Sequence, residues 1–292
     1  TIERLSDHLT ELADTIVQET LPLCWQTIKK RHREAPKFAV IGYGKMGGKE
    51  LGYVSDLDLV FLFDDDAQDA PENYTRLGQR LSTWLSSQTP AGMLFETDLR
   101  LRPNGDSGLL AVSVDAFRDY QLKHAWVWEH QALTRARFCA GDPAVGARFE
   151  KIRCEILCLP RDLAKLHEEV VAMRRKMYDA HASKSETGFN LKHDPGGIID
   201  VEFIVQYLVL GHANRHHALT GNLGNIALLR IAAELGLIPA DQAEAAGDAY
   251  REYRRLQHAK RLSANPKALI VRESIGKQIA AVNTLWKTVF GD

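Results

Sequence analysis

Several things that would commit this chain to a special chemistry or location are scarce or missing. Cysteine occurs at only four positions, Cys24, Cys139, Cys154 and Cys158. None forms a CxxC pair or neighbours a histidine cluster, which excludes a zinc module and a disulfide scaffold and leaves reduced thiols in a cytoplasmic protein. No apolar run approaches the roughly 20 residues that span a bilayer. Residues 1–35 lack the charged start and apolar core of a signal peptide, so no membrane partner is expected. An excess of charge is missing as well: the formal net charge is -1, without the field by which dedicated nucleic-acid binders collect phosphates, so no nucleic acid is expected. The chain opens at Thr1 in what reads as mid-helix, as a piece of a longer polypeptide would.

What is present is ample material for a core. Hydrophobic residues make up 45% of the 292 and charged residues 26%, the balance of a globular protein of one large domain or, as we read it, two. No internal repeat or low-complexity tract interrupts it. Leu5, Leu9, Leu12, Ile16 and Leu21 recur at helical spacing and define an amphipathic packing helix within residues 1–35. Residues 37–41 and 57–63 are short apolar runs that read as strands, the second stopped by Asp64, Asp65 and Asp66. A helical pattern fills 72–88, and 93–102 alternates as a third strand ending at Pro103. From Val114 the reading is helical almost to the end. The expected class is α+β: a small mixed sheet with flanking helices over residues 36–140, then a helical bundle over 141–292.

The chemistry concentrates between residues 42 and 59. Gly42, Gly44 and Gly47 fit the spacing of a dinucleotide-binding turn. That fold requires a full crossover helix and an acid at the far end of the next strand. Here only residues 48–56 separate Gly47 from Leu57, and the acids open the strand instead. The spacing suits a nucleotidyltransferase better: strand, glycine-led phosphate turn, very short helix, then a strand carrying Asp-x-Asp. Side chains two apart on a strand share a face, so Asp56 and Asp58 point into one cleft, where they can bridge Mg²⁺ ions about 3.5–4 Å apart. Gly44, Lys45, Gly47 and Ser55 are the candidate phosphate cradle. In Asp98-Leu99-Arg100-Leu101-Arg102 a third carboxylate shares a strand face with two guanidiniums. Asp98 is a third ligand that can also orient the attacking hydroxyl, and Arg100 and Arg102 either neutralise phosphates or pair with Asp98 and Glu96.

Other motifs read more plainly. Glu129, Leu133 and Arg137 fall on one face of a predicted helix that also carries Trp126 and Trp128, a packed lid. His130 reads as a satisfied histidine. Asp194, before Gly196 and Gly197, reads as a helix cap. Asp200 and Glu202 cannot face one metal from a helix, so an ion pair with an arginine is the expectation for either. The basic run from Arg251 to Arg261 reads as a solvated face.

Gly44, Ser55, Asp56, Asp58 and Asp98 together resemble the DNA polymerase β type of nucleotidyltransferase superfamily, with Lys45 where many members carry serine. Within it, Gly42 to Phe63, Asp98 to Pro103, Trp128 to Leu133 and Gly196 to Phe203 are similar, in order, to the glutamine synthetase adenylyltransferase family. Members have two related halves, one attaching AMP to a tyrosine and one removing it by phosphorolysis. The Gly-Tyr-Gly-Lys turn and Gly52 to Ser55 look more like the C-terminal, attaching half. The resemblance implies ATP as co-substrate, Mg²⁺ as cofactor, glutamine synthetase as protein substrate, and control by glutamine and the PII signalling protein.

Overall fold

The first helix packs along part of the face that its apolar spacing suggests, with Leu21 buried and Leu9 and Ile16 against the core. In the computed structural model, which describes residues 1–263 and 269–291, α1 (Ile2–Gln26) buries Ser6, Thr10, Ala13, Val17, Leu21, Cys24 and Trp25. Leu12 lies 54% exposed. Small residues on the inner face let the helix approach closely, and the Thr10 hydroxyl is satisfied by donating to the Ser6 carbonyl at 2.7 Å.

Two apolar strands lie beneath it. β1 (Phe38–Gly42) is buried along its whole length and runs antiparallel to β2 (Leu57–Phe63), with Gly42 opposite Leu59. The short helix α2 (Gly44–Gly47) is all that joins them apart from the loop of residues 48–56. α3 (Ala70–Ser86) follows, with Pro71 in its first turn, where a missing N–H costs nothing. β3 (Thr97–Asp98) and β4 (Ala111–Ser113) pair in parallel with the start and end of β2. Next come α4 (Val114–Lys123) and α5 (Val127–Leu133). β5 (Arg137–Gly141) then closes the other edge, antiparallel to β1 with an irregularity at Val40 and Ile41. α1, the sheet and α3 share one apolar core in which Trp25, Phe38, Phe61 and Tyr74 are packed.

Two expectations are corrected here. The third strand stops at Asp98 instead of running to Arg102, because the chain turns into a loop held by Arg102. Residues 137–141 form a strand instead of helix, since β1 offers them an open edge.

The chain divides into two compact units, Glu3–Ile156 and Leu157–Asp292, so α1 belongs with the sheet and the boundary falls later than 140. α6 (Pro143–Leu157) stays with the first unit through specific ties. Glu150 accepts from the Phe138 N–H at 3.2 Å, and Arg153 donates to the Leu133 and Thr134 carbonyls at 3.1 and 2.6 Å.

The second unit is helical, as expected, apart from a two-stranded pair, β6 (Gly188–Phe189) with β7 (Ile270–Val271). α8 (Ile198–His212) is apolar on nearly every side and packs against α7 (Leu163–His181), α9 (Asn225–Glu234), α10 (Ala240–Arg261) and α11 (Gly276–Phe290). Asp200 forms the expected ion pair, with buried Arg174, and accepts from the Gly196 N–H at 2.6 Å. Glu202 receives the Tyr250 hydroxyl at 3.5 Å. Asp194 caps no helix, for α8 begins on Gly197. Its carboxylate instead gathers the Ser183 and Asn190 N–H groups at 2.6 and 2.9 Å. The basic run is only partly a solvated face, since Arg254 is 6% exposed. No described helix is long and apolar enough to cross a membrane.

Candidate metal and nucleotide site

Strand register brings the acids together. Asp58 lies directly opposite Asp98 across the parallel β2–β3 pair, so both carboxylates leave the sheet on the same side. Asp56, two residues before Asp58, joins them: one oxygen from each of the three lies within 4.8 Å of the others. Asp56 is exposed, and Asp58 and Asp98 are half-buried. Three like charges at that spacing repel one another. Asp98 is relieved by Arg100, whose backbone N–H and Nε donate to it at 2.9 and 3.0 Å. The guanidinium beside it holds the Asp98 carboxyl below its ordinary range.

The glycine turn abuts these acids because β1 ends beside the start of β2, where the Tyr43 N–H donates to the Asp58 carbonyl at 2.8 Å. Gly44 has φ +52, and a Cβ there would fall 2.2 Å from Asp58 Oδ2. Only glycine lets the backbone come this close in this conformation. The donor set is carboxylate oxygen throughout, which suits a hard cation such as Mg²⁺ or Mn²⁺ rather than a thiophilic metal. A cradle this tight, lined by three hard ligands, fits a divalent ion with phosphate oxygens.

The other expected residues divide. Lys45 is half-buried in α2. The Ser55 hydroxyl oxygen accepts the Gly52 N–H at 3.0 Å and folds the loop that carries Asp56. In that loop Val54 has φ +55 and is 80% exposed, an unusual conformation for a β-branched residue. Gly47 faces away from the acids: a Cβ there would meet the Arg135 carbonyl at 1.9 Å, so its need is close packing. Arg102 does not share a strand face with Asp98. It donates to the carbonyls of Leu99, Asp106 and Gly108 at 2.7, 3.2 and 3.3 Å and pins the loop after β3.

Behind the turn stand two arginines whose spacing predicted a helix and whose partners the sequence did not show. Arg135 forms a buried ion pair with Glu50. Arg137 donates to the Met46 carbonyl at 3.1 Å and the Gly47 carbonyl at 3.4 Å. Read as helix, Arg137 shares a face with Glu129; in the structure it is in β5. Glu129 caps α5 from within, accepting from the Trp126 N–H at 2.8 Å and the Tyr120 hydroxyl at 2.9 Å. His130 is buried, its Nε2 2.9 Å from the Gln121 carbonyl. The alternation Arg-x-Arg-Phe-Cys-Ala before Gly141 was the available signal.

A small mixed sheet with an Asp-x-Asp strand, a third acid on the neighbouring strand and a glycine turn beside them is an α+β core of nucleotidyltransferase type. Comparison with known proteins narrows the class. Residues 1–152 match the family described as glutamate-ammonia ligase adenylyltransferase, and the chain belongs to that family. Residues 164–268 match a second family model, described as GlnD PII-uridylyltransferase. The chain is 66% identical, over all of its length, to 31% of the bifunctional glutamine synthetase adenylyltransferase/adenylyl-removing enzyme of Aromatoleum aromaticum. It is 57% identical, over 99% of its length, to 33% of the enzyme of the same name from Nitrosomonas europaea. For that of Bordetella bronchiseptica the identity is 56%, covering 100% of this chain and 31% of the relative. The chain thus spans about a third of the length of these relatives.

Proposed function

We propose that this chain is the C-terminal, adenylylating part of such an enzyme, moving AMP from ATP to a tyrosine hydroxyl of glutamine synthetase and releasing pyrophosphate, in the cytoplasm. The observation that carries the reading is the meeting of Asp56, Asp58 and Asp98 within 4.8 Å beside a turn whose Gly44 touches the Asp58 carboxylate. Magnesium would be held by these three carboxylates and would offset the charge that develops on the transferred phosphoryl group.

The remaining work falls to the chain itself. Gly44 lets the triphosphate approach the backbone, Lys45 supplies a point charge, and Ser55, whose oxygen is engaged by Gly52, retains its O–H to donate to a phosphate oxygen. A tyrosine hydroxyl has a pKa near 10, so a carboxylate that accepts its proton raises its reactivity at neutral pH, and Asp98 is that group. Arg100 offers a guanidinium to the departing pyrophosphate. Gly47 and Arg102 act through the frame, one by packing and the other by pinning the loop. Control by glutamine and the PII protein belongs to the same reading, on the family resemblance alone.

The names of the relatives carry a second activity, removal of AMP. Incubation of the chain with ATP, Mg²⁺ and unmodified glutamine synthetase, followed by intact-mass analysis, is expected to yield subunits heavier by one AMP. Removal of AMP from the modified enzyme in the presence of phosphate, without the forward reaction, would assign the chain to the other half instead.

A further inference from the structure

The turn beside the acids is held from outside the sheet. Arg137, opposite Gly42 on the β1–β5 pair, is engaged at all three guanidinium nitrogens. Nη1 and Nη2 donate to Asp14 Oδ2 and Oδ1 of α1 at 2.8 and 3.0 Å. Nη2 and Nε donate to the Met46 and Gly47 carbonyls, at the C-terminal end of α2. The side chains of Arg137 and Asp14 are 15% and 24% exposed, so the pair is only weakly screened by solvent. A second tie joins the same elements: the Gln18 Oε1 of α1 accepts the Gly141 N–H of β5 at 2.9 Å. The other end of α2 is Gly44, against Asp58. Because α2 is a single turn, a shift of its C-terminal carbonyls moves Gly44 relative to the carboxylate it touches.

We infer that Asp14 and Arg137 are positioning residues for nucleotide binding, and that through them α1 sets where the Gly44 turn stands against Asp58. The inference rests on the nucleotidyltransferase reading of that turn. Asp14 touches no substrate in this account. It orients the Arg137 fork, and the fork holds α2 by the Met46 and Gly47 carbonyls at its C-terminal end. A bidentate carboxylate is suited to that task, since a neutral amide keeps the shape and loses the charge.

The test uses the whole chain and a readout independent of turnover: the dissociation constant for a non-hydrolysable ATP analogue with Mg²⁺, by calorimetry, together with the melting temperature. Asp14→Asn is expected to weaken the analogue by about tenfold with the melting temperature little changed. Asp14→Glu recovers most of the loss, and Arg137→Lys, which cannot fork, reproduces it. In a double variant Asp14→Asn with Arg137→Lys the effects are less than additive. If Asp14→Asn and Arg137→Lys bind the analogue as the parent does, the inference is overturned while the functional reading stands. An affinity loss that tracks a lowered melting temperature, unrelieved by Asp14→Glu, overturns it equally. A parent chain that binds no ATP analogue sinks the functional reading and this inference with it.

Discussion

Arg100 chelates the carboxylate of Asp98, two residues before it, with its backbone N–H at 2.9 Å and its Nε 3.0 Å from each oxygen. The same carboxylate completes the acid cluster with Asp56 and Asp58, so guanidinium and metal ion compete for it. Arg100→Ala is expected to tighten Mn²⁺ binding to the nucleotide-free chain by roughly two- to fivefold, the scale of an exposed ion pair, and to weaken binding of the ATP analogue. Manganese titration followed by electron paramagnetic resonance measures the first effect. Unchanged Mn²⁺ affinity would show that Arg100 does not guard the site.

Asp56→Asn and Asp58→Asn each remove one hard ligand and relieve repulsion among the acids. Transfer of labelled AMP should fall by about a thousandfold or more while thermal stability holds or rises. Activity retained in either variant would refute the metal assignment.

At Gly44, alanine meets two obstacles, a φ of +52 and the Asp58 carboxylate 2.2 Å from the new carbon. The variant should lose about 1–3 kcal/mol of stability and displace Asp58. Gly276, in α11 and with nothing within 4 Å of an added Cβ, is the control: alanine there should leave urea unfolding at least as stable. Equal midpoints for Gly44→Ala and the parent would contradict the tight approach.

Asp65 anchors the segment after α1. Its side chain is 1% exposed. Burial pushes the carboxyl up, but hydrogen bonds from Tyr74, His32, the Ala67 N–H and Arg33 together outweigh burial and hold it well below the usual carboxylate range. A depressed carboxyl stabilises fully above the unfolded value near 4 and loses that contribution as pH falls below it. Asp65→Asn should cost about 3 kcal/mol at neutral pH, with the gap to the parent narrowing in acid. A gap that is constant from pH 7 to 3 would exclude the linkage.

In the second unit, burial pushes the His193 imidazole down to about 4, and Lys192, His181 and Arg174 act in the same direction. The unfolded chain protonates this residue near 6.5, so stability should drop as pH falls from there towards 4. His193→Gln should flatten that slope in urea unfolding; an identical slope would remove His193 as its source.

Local periodicity made much of this protein legible. The spacing that brings Asp56 and Asp58 together was readable from the sequence, although Asp56 lies in the loop just before β2, and residues 57–63 were delimited by the acids that follow them. The short span between Gly47 and Leu57 favoured a nucleotidyltransferase turn over a dinucleotide fold. Propensity misled where an edge was waiting: Arg137 to Gly141 reads as helix in isolation and becomes strand because β1 has unpaired groups to satisfy. It misled again at Arg102, where the loop's own carbonyls outcompeted the alternation that suggested a strand.

What the residues decided by themselves was the glycine turn, the two acids after it, and a largely helical second half, because each depends on neighbours within a few positions. What only the folded chain decided was the parallel register that sets Asp98 opposite Asp58, the burial of Ser6 and Thr10 on α1, and the reach of Arg137 back to Asp14 across 123 positions. Those depend on which edges and faces remain unpaired once the core has closed, and no local window of sequence contains that information.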